Sequence, residues 1–359
     1  MTTCVNTKAP SRDASLDWIA GLLTLVVLVQ HIDDLADYEL GWKSIGGGRV
    51  FYFYMAWFFF KSGVFEKNGN LHKTYNRIWT HLVVPYLFFS ILSWVIWAPG
   101  YLMIHDWSFK WLIAASWRWF YQFGYIPNDG PLWFMATLIV CRLLYPLCHR
   151  YCLNNYVIAG IAWISAYLYY LIWHHVEQPQ YVFLPIPQGL MALALYAIGV
   201  QWNNIRYGIW STVFFCVMYC VVLIYNLPMA GLHLAGLDAP EISWLYSLPL
   251  WLCGILLWNN VIRWMPEWFF KVFNLGYIGR HSMTYYCGHF IILTTLAFLY
   301  EEKGITLFGM PLMWAMIVAC VVILPVADIL LRRYMPWAVG AKPRVRKGVE
   351  VGAASDPLP

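Results

Sequence analysis

The sequence predicts an all-α polytopic membrane protein of about ten transmembrane helices, with both termini cytoplasmic. Three observations carry this: the composition, a succession of helix-length apolar runs, and the distribution of basic residues. Of 359 residues, 61% are hydrophobic and only 11% are Asp, Glu, Lys or Arg. A soluble domain carries about 25% charged residues, so this chain lacks the charge to cover two or three water-facing domains. The aromatic share of 19%, with 22 Trp, fits a bilayer protein, because Trp and Tyr gather at membrane interfaces.

A helix needs about 20 residues to cross the hydrocarbon core. The predicted spans are 16–31, 50–65, 78–98, 132–148, 156–173, 188–202, 208–227, 245–262, 282–300 and 309–331. The stretch 107–123 is also apolar, but Lys110 and Arg118 lie among its Trp and Phe residues. Charges at mid-bilayer cost about 2.5–3.5 kcal/mol each on insertion scales, so this stretch reads as interfacial or re-entrant. With both termini inside, the inner segments hold 17 basic residues and the outer segments five: Lys43, Arg49, Lys110, Arg118 and Lys303. Lys61, within a span, completes the 23. Making 107–123 an eleventh span would reverse every later loop and scramble this asymmetry.

The division that follows is a cytoplasmic tail over 1–15, a ten-helix membrane domain over 16–331 and a basic cytoplasmic tail over 332–359. The N-terminal stretch has no signal-peptide apolar region before the first span, which therefore stays as an anchor. None of the nine Cys forms a CxxC pair, and most fall in apolar runs, so neither a disulfide framework nor a zinc site is expected. The formal charge of +5 is accounted for by topology, and nucleic acid is not an expected partner. No internal repeat of matching broken helices, of the kind that marks many transporters, is evident.

In the first span, Asp17, Gly21, Thr24, Leu28 and His31 recur at helical spacing on one face. Fourteen residues of helix separate Asp17 from His31 by about 21 Å, so the two occupy opposite ends and form no dyad within the helix. A carboxylate orienting His31 would be Asp33, Asp34 or a residue from another helix. Position alone is equally met by a plain interfacial histidine. Lys61 lies about a turn inside the cytoplasmic edge of the second span, beside the Ser62–Gly63 pair. It is either a snorkelling lysine or a functional charge. The following basic stretch, with Lys67, Lys73 and Arg77, is either a topology signal or a cytosolic phosphate site, since Arg presents donors matched to phosphate. The motif GPLWFMATLIVCRLLYPL opens the fourth span with Trp133 at the outer interface. NLGYIGRHSMTYYCGHF opens the ninth, with Arg280, His281 and Ser282 inside and His289 two turns deeper. No nucleophile elbow, Walker loop, HExxH or GxGxxG fingerprint occurs.

Taken in order, a first span ending in His, an FF–SG second span, Arg before a Pro-Tyr third span, LWF in the fourth and GRHS–Y–H in the ninth resemble the acyltransferase-3 family of membrane O-acyltransferases. The likeness is to its bacterial sugar-acetylating branch in particular and spans about residues 12–331. The resemblance implies a multi-pass enzyme of the bacterial inner membrane. It would move an acyl group, usually acetyl from acetyl-CoA, to a hydroxyl of a glycan or lipid-linked sugar, with membrane lipid around it and no permanently bound cofactor. It implies His31 and Asp17 as catalytic residues. Lys73 and Arg77 are implied at the CoA donor; by their positions at the span ends, Lys61 and Arg280 are expected on the donor side and Asp33, Asp34 and Trp133 on the acceptor side. One departure stands out: the family commonly has Arg eleven residues before the His, where this chain has Ala20. Lys61, at similar depth on the neighbouring span, is the candidate replacement charge. The competing readings are a transporter or flippase of a lipid-linked saccharide, whose ionisable groups would line a path, and an acyltransferase scaffold without catalysis.

Overall fold

Lipid offers no hydrogen-bond partners, so a spanning chain satisfies its backbone internally and is helical or a closed barrel. The computed structural model, which describes residues 14–36, 47–66, 70–104, 106, 108–151, 154–174, 183–202, 208–233, 240–302 and 309–341, contains helices and no strand among these residues. The predicted N-terminal tail therefore lies outside the described residues except for residues 14 and 15, whereas residues 332–341 of the predicted C-terminal tail are described: the last long helix continues to Tyr334, and a short turn at Pro336–Val339 buries Ala338 and Val339.

The first half of the chain forms α1 (Ala14–Leu35), α2 (Gly47–Val50), α3 (Tyr54–Val64), α4 (Leu71–Ile78), α5 (Val84–Ile104), α6 (Phe109–Phe123) and α7 (Trp133–Arg150). The second half forms α8 (Asn155–His174), α9 (Pro185–Gln201), α10 (Ile209–Tyr225) and α11 (Ser243–Arg263). It then continues with α12 (Glu267–Val272), α13 (Leu275–Arg280), α14 (Ser282–Glu302) and α15 (Met310–Tyr334). Seven helical stretches are long and apolar enough to cross a membrane: α1, the rod Leu71–Met103, Gly130–Arg150, and those of α8, α11, α14 and α15. That rod joins α4 to α5 through a π-helical turn at Trp79–Val83.

Each of the ten predicted spans contains helix, but three fall short of spanning length or apolarity. α10 is apolar and has 17 residues, α9 also has 17, and α3 only 11. The predicted span 50–65 is broken because residues 51–53 turn between α2 and α3. Tyrosines brace this break: Tyr219 OH donates to the Val50 carbonyl at 2.5 Å and Tyr52 OH to the Leu250 carbonyl at 2.8 Å. α6 keeps Trp111, Ile113 and Trp117 exposed and is not among the seven. Val318, Val321, Val322, Val326 and Ile329 of α15 are likewise exposed, a continuous apolar face that water would not tolerate on a soluble monomer.

Without a strong hydrophobic drive between helices in lipid, close packing at small residues holds them together. Two crossings here depend on it. A Cβ on Gly21 would strike the Leu275 carbonyl, and one on Gly279 would strike the Asp17 carbonyl, so α1 and α13 touch backbone to backbone. Gly63 and Gly199 do the same for α3 and α9, against Tyr196 and Phe60. α14, leaving α13 at once, is thereby laid along α1.

Candidate functional site

The bundle has two polar ends, named here for Asp17 and His31, which occupy opposite ends of α1. α3 and α7 run from the His31 end to the Asp17 end, whereas α14 runs back.

At the Asp17 end, Lys61 Nζ lies 3.8 Å from Asp17 Oδ1, with the two side chains 16% and 3% exposed. The ammonium also stands 5.3 Å from the centre of the Trp57 ring, a cation–π distance. Arg142 Nη2 reaches Glu66 Oε2 at 3.1 Å, and Tyr196 OH donates to the same oxygen. Between these pairs lies a cavity of about 290 Å³ whose walls include Lys61, Ser62, Arg142, Ser282, Phe58 and Tyr286. Lys73, exposed, and Arg77, half-buried, sit on α4 and do not line it; nor does exposed Arg280. Ala20 is fully buried, so an Arg at that position would need space the packing does not leave.

The Arg280 segment does mechanical work. Asp328, fully buried on α15, gathers Arg332 Nε at 2.9 Å, Thr284 Oγ1 at 2.6 Å and His281 Nδ1 at 2.6 Å. Burial pushes the His281 imidazole below its ordinary range, against the pull of Asp328. Together with the Gly279 contact, this hub ties the start of α14 to α1 and α15 and so fixes what α14 presents two turns later.

What it presents is His289, beside His31. The two rings lie 5.4 Å apart at 30°, and Phe290 meets His31 edge-on at 5.0 Å. His289 Nδ1 is 3.0 Å from the Tyr285 carbonyl, whereas its buried Nε2 has no hydrogen-bond partner. His31 opens into a cavity of about 530 Å³ whose walls include Asp34, Tyr54, Trp133, His233 and Tyr286. Asp34 is exposed there; Asp33 is buried and does not line the cavity. Thr137 Oγ1 donates to Gln188 Oε1 at 2.9 Å, and Gln188 Nε2 donates to the His233 carbonyl at 2.5 Å. This relay holds His233 5.3 Å from the Trp133 ring. Next to the cavity wall, Asp129 is fully buried with neither carboxylate oxygen hydrogen-bonded, and burial pushes its carboxyl well above the usual range.

The structure thus brings His31, Asp34 and Trp133 to one cavity and Lys61 to another, with Asp17 behind Lys61. Sequence reasoning missed His233, Gln188, Arg142, Glu66 and Asp129. Arg142 and Gln188 had a signal, as polar groups within or at the edge of apolar runs, which bilayers admit only with a partner or a task. His233 and Asp129 sit in connecting segments and gave none. No group of His, Cys, Asp and Glu suited to a metal occurs among the described residues.

Compared with known proteins, residues 13–332 match the family model described as an acyltransferase domain, of the acyltransferase-3 type. No curated protein and no solved structure matches the chain.

Proposed function

The chain belongs to the acyltransferase-3 family and is a membrane acyltransferase; on that premise we propose that it transfers an acetyl group from cytosolic acetyl-CoA to a hydroxyl of a glycan or lipid-linked sugar. The observation that carries this reading is the pair of cavities at opposite ends of α1, one basic and one built around His31. Under the positive-inside rule, the end with Lys61, Arg142, Arg280 and Arg332 faces the cytosol, where CoA is. The His31 end then faces outward, as expected for a multi-pass protein of a bacterial inner membrane.

The chemistry proceeds from that geometry. An acceptor hydroxyl in the His31 cavity gives its proton to His31 as its oxygen attacks the thioester carbonyl. The C–S bond breaks, and the CoA thiolate recovers a proton as free thiol. A histidine suits this exchange because its neutral imidazole has a ring nitrogen free to accept the hydroxyl proton and can then return it to the leaving thiolate. Trp133 and Tyr54 offer apolar faces for a sugar ring, and Asp34 accepts from its hydroxyls. Lys61 and Arg142 line the donor side, and Lys73, Arg77 and Arg280, on the same end of the bundle, would meet the CoA phosphates. Lys61 Nζ beside Asp17 supplies positive charge on the side from which Ala20 withdraws it.

Mass spectrometry of surface glycans tests the reading in a strain lacking the gene, complemented with the natural chain or with His31→Ala. Acetyl groups absent from intact polymer, and restored only by the natural chain, are expected. Loss of the polymer itself would mean saccharide export, and unchanged acetylation would refute the proposal.

A further inference from the structure

The two cavities have one wall residue in common, Tyr286. On α3 the change from one cavity to the other takes two residues: Ala56 lines the His31 cavity and Phe58 the Lys61 cavity. On α7 it takes one, Trp133 against Phe134. The partition between the two ends is therefore about one side chain thick. Three rings compose it, from three helices, and each touches the other two. Phe58 and Phe134 are 5.9 Å apart, Phe58 and Tyr286 6.4 Å, and Phe134 and Tyr286 5.1 Å between centroids. All three are buried, at 9%, 8% and 6% exposure for Phe58, Phe134 and Tyr286. Rings at these separations are in aromatic contact and leave no passage for an acyl chain.

We propose that Phe58, Phe134 and Tyr286 form an aromatic gate through which the acyl–thioester end of the donor passes to reach His31, and that the gate's opening selects the acyl chain by width. The inference rests on the reading that donor and acceptor sit at opposite ends. Rings suit the task because they seal by shape, without ion pairs that would have to break at each opening. Side chains on α3, α7 and α14 can part by rotamer changes, whereas the backbone crossings at Gly63 and Gly279 stay fixed. The thinness of the partition also explains why Tyr286 is followed within one turn by His289 and Phe290. A thioester that clears the ring emerges beside His31.

A reporter cysteine, Ala56→Cys, tests the gate without donor or acceptor. In membrane vesicles of known orientation, a small charged thiol reagent is applied to one face at a time, and labelling of residue 56 is read by peptide mass spectrometry. With the rings intact, labelling is expected from the His31 face and not from the Lys61 face. Adding Phe58→Ala or Phe134→Ala is expected to speed labelling from the Lys61 face at least tenfold. Retained labelling from the His31 face shows that the cavity still forms. Equal labelling from both faces with intact rings, or no gain in either opened variant, would overturn the gate. For chain selection, the ratio of hexanoyl-CoA to acetyl-CoA turnover is expected to rise at least fivefold in Phe58→Ala; an unchanged ratio overturns selection by width. If no acyl-CoA supports transfer by the natural chain, the functional reading and the selection fail together, while labelling still decides whether the rings are a barrier.

Discussion

Replacing Lys61 with Met removes a cation from a nearly closed site while keeping much of the stem's apolar volume. The magnitude follows from the geometry. Unit charges 3.8 Å apart attract by about 4 kcal/mol at an effective dielectric of about 20. Removing one partner of a buried pair typically costs about 3–5 kcal/mol, because the other charge stays in low dielectric. Lys61 keeps 16% of its side chain exposed, which softens the loss, and its stacking on Trp57 adds about 0.5–1 kcal/mol. The expected destabilisation is therefore about 3 kcal/mol, at the low end of the buried range. Thermal unfolding in detergent can be followed with a thiol-reactive dye, since Cys141, Cys253, Cys287 and Cys320 are buried until the fold opens. Lys61→Met and Asp17→Asn should each lower the midpoint, and the double variant should recover most of the loss, because neither charge is then left behind. A double variant that merely sums the two losses would refute the pairing. CoA binding separates the two roles of Lys61: a charge used on the donor makes Lys61→Met bind CoA more weakly than Asp17→Asn does.

Four further outcomes are expected. His31→Ala should lower acyl transfer by about 10²–10⁴-fold, the usual contribution of a general base, with yield and unfolding midpoint unchanged; transfer at the natural rate would remove His31 from the chemistry. Replacing Lys73 and Arg77 together with Ala should weaken CoA binding at least about tenfold by calorimetry, given about 1.5–3 kcal/mol per charge-assisted contact. Unchanged affinity would leave both as topology signals. Asp129→Asn should stabilise the protein at pH 7. Burial raises the folded-state pKa of this carboxyl, so its favourable contribution is complete below the unfolded value of about 3.9 and is lost as pH rises; the advantage of Asn should shrink from pH 7 towards pH 4, and a constant difference would count against a protonated Asp129. Reporter fusions after Asn128 and after Arg150 should appear on opposite faces, outside and inside; an inside signal at Asn128 would make α6 a crossing helix.

The helical, membrane-embedded character of the chain was legible because it rests on quantities the sequence states outright: few charges, long apolar runs and basic residues gathered on alternate loops. Helix ends were less legible. The span expected at 50–65 contains the turn at 51–53, and that turn is held by Tyr52 and Tyr219 bonding to distant carbonyls. Nothing local in the run announces those partners. The GRHS motif shows another limit. Its residues invite a functional reading at the inner interface, yet Gly279 serves a backbone crossing and His281 a buried aspartate on α15. Asp328 lies 47 residues away from His281 in sequence, so only the packing of α14 on α15 could reveal the link. His31, by contrast, could be placed at one end of α1 by counting turns. Its companions His289 and His233 arrive from elements whose placement depends on tertiary contacts.

Buried carboxylates at the Asp17 end are handled differently from Asp129 beside the His31 cavity, and the contrast bears on function. At the Asp17 end each buried or half-buried carboxylate meets a cation: Asp17 has Lys61, Glu66 has Arg142, and Asp328 has Arg332. Such pairs bear their desolvation cost jointly and hold helices in register. Around the His31 cavity, buried polar atoms remain without a hydrogen-bond partner, among them both Asp129 oxygens, His289 Nε2 and Gln30 Oε1. A buried polar group without a partner costs about 1–3 kcal/mol, and in a bilayer no water-rich core offsets it. A fold stabilised only by its own contacts would gain by replacing Asp129 and His289 with apolar residues of similar shape. Their position beside the cavity that His31 opens into gives the expense a purpose. The polar atoms of an incoming hydroxyl and thioester would meet groups already stripped of water, so binding there would recover energy that folding left unspent.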